Sequence, residues 1–508
     1  MNLPLNFKFR EKFNFSGTRK NPFTFLSKFF INLKKSYLLM SKTERVGALF
    51  FSLVALSLLS YKIYGLYFAM TEPIPDRGGV YEEAIYGDLK YLNPITAQSE
   101  TDRAVSRLLF SGLVKISDQD KILPDLAERW ETSTDGQRYT FYLKNNLRFS
   151  DGDNLTANDI AYTIDYIKDP ASKSPLLNSW ADVTAEVIDD YTIIFSLPKV
   201  YGPFIYNCTF GILPSHLSSD EFSKKLTGSG PYKFAKSTKS KDGSRTSSIE
   251  LSRNDNYAGS NSYIDQVKLD FYSSKDEAKA NYENNKMVNA LFGTSSDIGQ
   301  GKNYQSGRRL GLIANAGSEK LKDLANRQKL FEGAAKFDET MNLTLVTLDA
   351  EYQRAKATEL KANYKDFNVE ISVQYLTPLQ LPDVIRSRSY DLLLYGFDFG
   401  YDRDPYTFWH SSQIPAGMNF AGWSDKSSDI LLEDARMIVD SAQRNAKYDE
   451  FFNNIIAKQY LAQFFAPISY SFTVKDSIKS VDNITGNQVY SRYSDIAKWY
   501  ITEKRIRK

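Results

Sequence analysis

Three carboxylates crowd one short stretch, GFDFGYDRDPYTFW: Asp398, Asp402 and Asp404. Two kinds of chemistry suit such a group. Paired acids can act as general acid and base in glycoside hydrolysis, or they can hold a complementary charge on a bound ligand. The stretch is a glycine-and-aromatic loop at the C-terminal end of a predicted parallel strand, which is where ligands bind in open α/β sheets. The same acids serve equally as Asx caps of a solvated turn.

Other reactive constellations are missing. His216 and His410 are far apart in sequence and in no metal-ligand spacing, and a lone histidine is read as structural. No HExxH, GxSxG, SxxK, Walker or dinucleotide fingerprint occurs. Cys208 stands alone in FIYNCTFGIL, so there is no disulfide framework or thiolate metal site, and a buried structural thiol is expected. The sequence predicts no cofactor, no metal and no catalytic turnover.

The elements that must position the acidic loop are legible as two grammars. VYEEAIYGD reads as a strand, LNPITAQSE as a loop and Glu100–Phe110 as a helix. ERWETSTDGQRYTFYL is a hairpin turning at Asp135-Gly136. In LTANDIAYTIDYIKD, Thr156 is the N-cap, Asp159 the acidic third position, and Ile160, Ile164 and Ile167 one apolar face. YTIIFSL and QVKLDFYS are further strands, and 237–248 is a polar hairpin tip. Beyond about residue 340, LTLVTLD, EYQRAKATELKANYK, NVEISVQYL, LPDVIRSRS and DLLLYGF alternate as β-α-β-α-β, a parallel right-handed α/β unit. Two helices follow, near 429–441 and 446–461. The 508 residues exceed one core, and two lobes with a crevice between them are expected.

Aromatics make up 14% of the chain, which suits large cores and also a ring-lined cleft. The one long apolar run is 46–70, long enough to cross a bilayer, with Lys62 toward its outer end. Residues 1–45 carry ten Lys and Arg against Glu11 and Glu44, so the N-terminus is expected in the cytoplasm and the remainder outside. No small-x-small cleavage site and no lipidation cysteine follows the run, and residues 71–79 read as a linker. Past residue 70 the chain holds 53 basic and 59 acidic residues, so the overall net charge of +3 comes from the tail and a nucleic-acid footprint is lacking.

Three sequence blocks carry a resemblance. The first runs through Leu123–Trp130, Asp135-Gly136, Phe141–Lys144, Phe149–Gly152 and Leu155–Asp159. The second is GSGPYKF, Gly228–Phe234, with IELSRNDNY after it. The third is Met418–Arg436. In this order they resemble the family 5 solute-binding proteins, the oligopeptide- and dipeptide-binding proteins of ABC importers, over most of residues 80–475. The resemblance implies an α/β, periplasmic-binding-protein-like two-lobed fold (type II) in three domains: domain I at 80–113, 180–272 and 476–508, domain II at 114–179, and an α/β domain III at 273–475. It implies a monomer capturing peptides for a permease and ATPase, with Trp130, Gly152 and Pro231 structural. A sugar, opine or nickel-complex ligand, a membrane-fixed receptor and an extracytoplasmic hydrolase are the alternatives.

Two departures from the family pattern stand out. The stretch Lys275–Thr340 is short and lacks the family's helix motif, so domain III is abridged. Peptide-binding members place an amine-anchoring Asp four residues before the Pro of the loop. Here Tyr401 holds that place and Asp402 follows. The resemblance therefore implies a substrate site of Asp402 first and Asp398 second as anchor, with Tyr401, Phe399, Trp409 and Asn419 around it.

Overall fold

The computed structural model describes residue 31 and residues 34–117, 121–294, 302–333, 335–415, 417–481 and 488–508. Contacts divide the chain into two units: 1–74 with 504–508, and 75–503.

The first unit holds the helix Lys42–Met70, the one described helix long and apolar enough to cross a membrane. It starts four residues before the expected span because Ser41 and Glu44 form a capping box, and none of its side chains is buried. The residues after it depart from the expected linker. Thr71–Asp76 is a strand paired with Thr502–Arg507. Arg505 explains the pairing chemically: its guanidinium donates to the carbonyls of Phe68 and Thr71 at 3.3 and 2.7 Å.

The second unit is organised by one ten-stranded sheet. Its strands, in chain order, are β1 Val80–Tyr86, β2 Tyr232–Lys239, β3 Thr246–Arg253, β4 Gln266–Tyr272, β5 Ala290–Thr294, β6 Lys302–Ala314, β7 Met341–Leu348, β8 Val369–Leu376, β9 Leu392–Asp398 and β10 Ala462–Val474. They lie in the order β8-β7-β9-β6-β10-β5-β1-β4-β3-β2. The predicted α/β series is present: β7 pairs parallel with both β8 and β9, and the helix Glu351–Lys365 falls where it was read. The sheet is mixed, however, since β6 pairs antiparallel with β9 and β10.

Burial follows the sequence patterns. In β9 the run Leu392-Leu393-Leu394 is buried on both faces: Leu392 and Leu394 pack with Leu343, Leu345 and Leu360, and Leu393 with Phe397, Phe420 and Leu432. That is the expected signature of a covered central strand. The first half builds its own core around Phe141, Phe149, Trp180, Phe195 and Phe204, with the C-terminal Tyr493 and Trp499 returning to it. The hairpin read at Asp135-Gly136 is there, Gly136 having φ +70°, and it joins a four-stranded antiparallel sheet. Thr156 and Asp159 form the predicted capping box, and Asp159 also accepts from Ser215 N–H at 2.9 Å. Residues 275–294, expected with domain III, supply a helix and β5 beside β1, packing with Ala84. The last two helices are Lys426–Met437 and Ser441–Phe451, a few residues earlier than read.

Only β6 and β10 carry the chain between the first core and the α/β part. Each has 13 residues, and their pairing shifts register on both sides of Arg309. The return of the C-terminal segment is fixed by a buried ion pair. Arg492 Nε lies 3.1 Å from Glu83 Oε1, while Tyr81 and Tyr493 hydroxyls donate to Glu83 Oε2 at 2.7 and 2.5 Å. Both charged groups are essentially sealed from water. Replacing Arg492 with Met strands the Glu83 carboxylate, at an expected cost of about 3–5 kcal/mol. Denaturant unfolding of R492M checks this, and a wild-type midpoint would remove the pair from the interactions that hold the fold.

Candidate functional site

A cavity of about 330 Å³ opens where the first core faces the loop after β9. One wall is the helix Glu100–Leu109 with the loop before it. Its position is set by Asp102, whose buried carboxylate accepts from the N–H groups of Lys90 and Tyr91 at 2.8 and 3.1 Å and closes a capping box with Ser99. The helix end is fixed by close packing: a Cβ on Gly228 would come within 2.1 Å of the Leu109 carbonyl oxygen, and one on Gly230 within 2.5 Å of the Leu109 carbonyl carbon. This is the reason for the glycines of the GSGPY block.

Arg103, Ser106 and Arg107 face the cavity from that helix, with Tyr206 and Asn207 from the segment Gly202–Thr209. The opposite side contributes Tyr401 and Tyr490. Tyr206 and Tyr401 stack at 6.4 Å between centroids with 8° between their planes, and Tyr490 meets Tyr401 edge-on. The Tyr401 hydroxyl lies 3.2 Å from Ser491 Oγ. Gly202 brings the two sides together further down, its Cβ position only 1.9 Å from the Ile438 carbonyl oxygen.

The acidic loop does not do what was expected of it first. Asp402 is buried, and Arg444, buried itself on the helix Ser441–Phe451, donates to its Oδ1 from both Nε and Nη2. Tyr448 donates to Oδ2 at 3.2 Å. Burial raises the Asp402 pKa and the Arg444 contact opposes that shift, and three protein donors already occupy the carboxylate. Asp404 is taken by Arg436 at 2.7 Å and by the Tyr406 N–H at 3.0 Å. The capping alternative therefore describes Asp404, while Asp402 is a structural ion pair that sequence spacing could not reveal, because its partner lies 42 residues away.

The other expected site residues separate in the same way. Trp409 is buried against Phe451, and Phe399 sits in a ring cluster with Phe397, Phe408, Phe452 and Phe464. Asn419 is fully buried and donates its amide to the carbonyls of Trp409, His410 and Trp423. These three support the loop and do not line the cavity. Tyr401 does. Asp398 lies at the joint between the two sides: Arg308 Nε is 3.4 Å from its Oδ2, Gln488 Nε2 donates to its Oδ1 at 3.1 Å, and the Gly400 N–H also donates to Oδ1. Arg308 reaches back to Glu100 Oε1 at 2.6 Å, and burial raises the Glu100 pKa.

Sequence reasoning missed Arg103, Arg107, Tyr206 and Tyr490. The signal for the arginines was available, since a spacing of four on a predicted helix puts both on one face. Each histidine has close neighbours within its own region, His410 Nδ1 lying 2.7 Å from Ser412 Oγ. His410 stacks on Tyr406 at 4.2 Å. His216 Nε2 lies 3.0 and 3.1 Å from Asp151 and Asp153 on a surface turn, a grouping of metal-ligand types that the sequence spacing concealed.

Comparison with known proteins fits this architecture. Residues 121–328 match the middle region of the bacterial extracellular solute-binding proteins, family 5. The oligopeptide-binding protein AppA of Bacillus subtilis is 21% identical over 84% of this chain and 93% of its own. Over residues 121–328 the chain is similar to the family 5 solute-binding proteins. Solved structures also match in three dimensions. The ABC transporter substrate-binding protein CtaP of Listeria monocytogenes superposes with a TM-score of 0.71 at 22% identity, covering 84% of this chain and 100% of its own. AppA bound to a nonapeptide superposes at 0.64 with 19% identity, covering 84% and 100%. NikZ of Campylobacter jejuni, bound to Ni(L-His), gives 0.66 at 19%, covering 83% and 99%. The architecture is accordingly that of a type II periplasmic binding protein.

The ion-pair geometry separates two carboxylates that the sequence ranked together. Asp402→Asn leaves Arg444 without its buried partner and is expected to lower stability by about 3 kcal/mol or more. Asp398→Asn, at a partly solvated pair, is expected to cost about 1 kcal/mol or less. Thermal melting of the two variants side by side checks the order; equal losses would contradict it.

Proposed function

We propose that the chain is the membrane-tethered, extracytoplasmic peptide-binding component of an ABC importer. The observation that carries this reading is the cavity shared by both sides of a family 5 fold, with Tyr206 and Tyr401 stacked across it. In such a two-sided protein a ligand favours the closed form by touching both sides at once. The similarity to AppA over most of both chains supports peptides as the ligand class. The protein acts as a monomer, domains I and III closing on the ligand and presenting it to the permease and its ATPase, without turnover. The apolar helix Lys42–Met70 remains in the mature chain as a single membrane span, with the basic tail in the cytoplasm.

Asp398 is the loop acid left near the joint for a ligand amine, and it takes that role only by exchanging Arg308 or Gln488 for the ammonium. A non-peptide anionic solute is the second reading, favoured by the arginines and the lack of any carboxylate in the cavity lining.

Two measurements test the proposal. Native mass spectrometry of the full chain, extracted from its own membranes in mild detergent, is expected to release bound peptides, and Tyr401→Ala to reduce their recovery several-fold. Recovery of only non-peptide solutes would turn the assignment to the second reading. Intact-mass analysis of the same preparation is expected to include residues 46–70; a mature chain beginning near Thr71 would refute the tether.

A further inference from the structure

The described lining of the cavity holds two cations and no acid. Arg103 and Arg107 lie one helical turn apart and both face it, and no Asp or Glu lines it. Among the described residues neither guanidinium is in ion-pair contact with a carboxylate. Arg107 has its guanidinium carbon 5.9 Å from the Tyr490 centroid, and the buried Asp125 carboxylate, which feels its charge, lies outside the cavity lining. Both side chains are partly buried. An arginine stays charged at any pH the protein meets, and two such charges beside one enclosed volume repel each other unless an anion sits between them. Meanwhile the acids of the neighbouring loop are all engaged by Arg308, Arg436 and Arg444. Within the described lining the surplus is therefore positive.

From this we infer that the ligand presents a carboxylate to Arg103 and Arg107, which grip it as a pair while the tyrosines cover its apolar part. A planar guanidinium matches a carboxylate with two parallel hydrogen bonds, a fit a lysine cannot reproduce. The cavity volume of about 330 Å³ is near the lower end of the roughly 300–1,000 Å³ usual for ligand pockets, so a ligand of a few residues fits it better than a long peptide. The carboxylate comes either from the C-terminus of a short peptide or from an acidic side chain. The inference rests on the cavity being the ligand site, as proposed above.

The test titrates the full chain in detergent with Ala-Ala-Ala, its C-terminal amide and Ala-Glu-Ala amide, by calorimetry. The expected result is binding of Ala-Ala-Ala and at least tenfold weaker binding of its amide. Recovery with Ala-Glu-Ala amide assigns the grip to any carboxylate, and no recovery assigns it to the chain terminus. Arg103→Gln and Arg107→Gln are expected to weaken Ala-Ala-Ala at least tenfold and to abolish the difference between acid and amide. Arg107→Lys, which keeps the charge and loses the fork, should fall between wild type and Arg107→Gln, and unchanged melting temperatures show that each variant is folded. Equal binding of acid and amide by wild type, or a preference for Lys-Lys-Lys amide, overturns the inference while leaving peptide capture standing. If no peptide binds, glutarate and glutaramide replace them. Glutarate binding that R107Q loses sustains the arginine grip and removes the peptide reading, whereas binding of neither probe overturns both.

Discussion

Two strands hold the second unit together. β6 and β10 are the routes by which the chain leaves the first core and returns to it, and they pair with each other along most of their length. Everything that distinguishes the two sides follows from that restriction. The α/β part can be covered on both faces because its strands hang from β6 and need no other connection. The irregular pairing around Arg309 puts the weakest part of the ladder at the passage between the two cores, and bulged strands bend there more readily than regular ones. Arg308 stands at this point, with Glu100 on one side and Asp398 on the other.

Charge is used in two distinct ways around the cleft. Glu83 with Arg492 and Asp402 with Arg444 are sealed pairs whose carboxylates each take at least three protein donors, so they fix backbone positions. Arg103 and Arg107 have no such partners among the described residues. A buried pair contributes geometry, because breaking it is costly even where forming it gains little. An unmatched cation at a cavity contributes selectivity instead. The loop after β9 belongs to the first group, although its composition suggests the second.

That difference explains what could be read from the sequence. Elements were legible wherever a local pattern decides structure: the Thr156–Asp159 box, the Asp135-Gly136 turn, the β-α-β-α-β series and the leucine run of β9. Helix ends at 426–456 were placed late, since the cap is Asp425 and the tertiary packing of Leu432 and Phe451 sets the rest. The site was legible only in part. Tyr401, at a motif position, lines the cavity, whereas Asp402 is paired with Arg444 on another helix, a contact that local spacing does not encode. Mixed strand order and the pairing of residues 71–76 are also contacts between distant parts of the chain, which a local pattern does not encode.

The pairing of Thr71–Asp76 with Thr502–Arg507 has a consequence for how the protein is made. Arg505 bonds to Thr71 across 434 positions of sequence. A ribosome delivers the first strand long before its partner exists, at about 5–20 residues per second. For that interval, of the order of tens of seconds, the unpaired edge is open to any other extended segment nearby. Closing so long a loop adds little to its entropic cost, which grows only with the logarithm of length. The pairing of these two strands is therefore among the last parts of the fold to be completed.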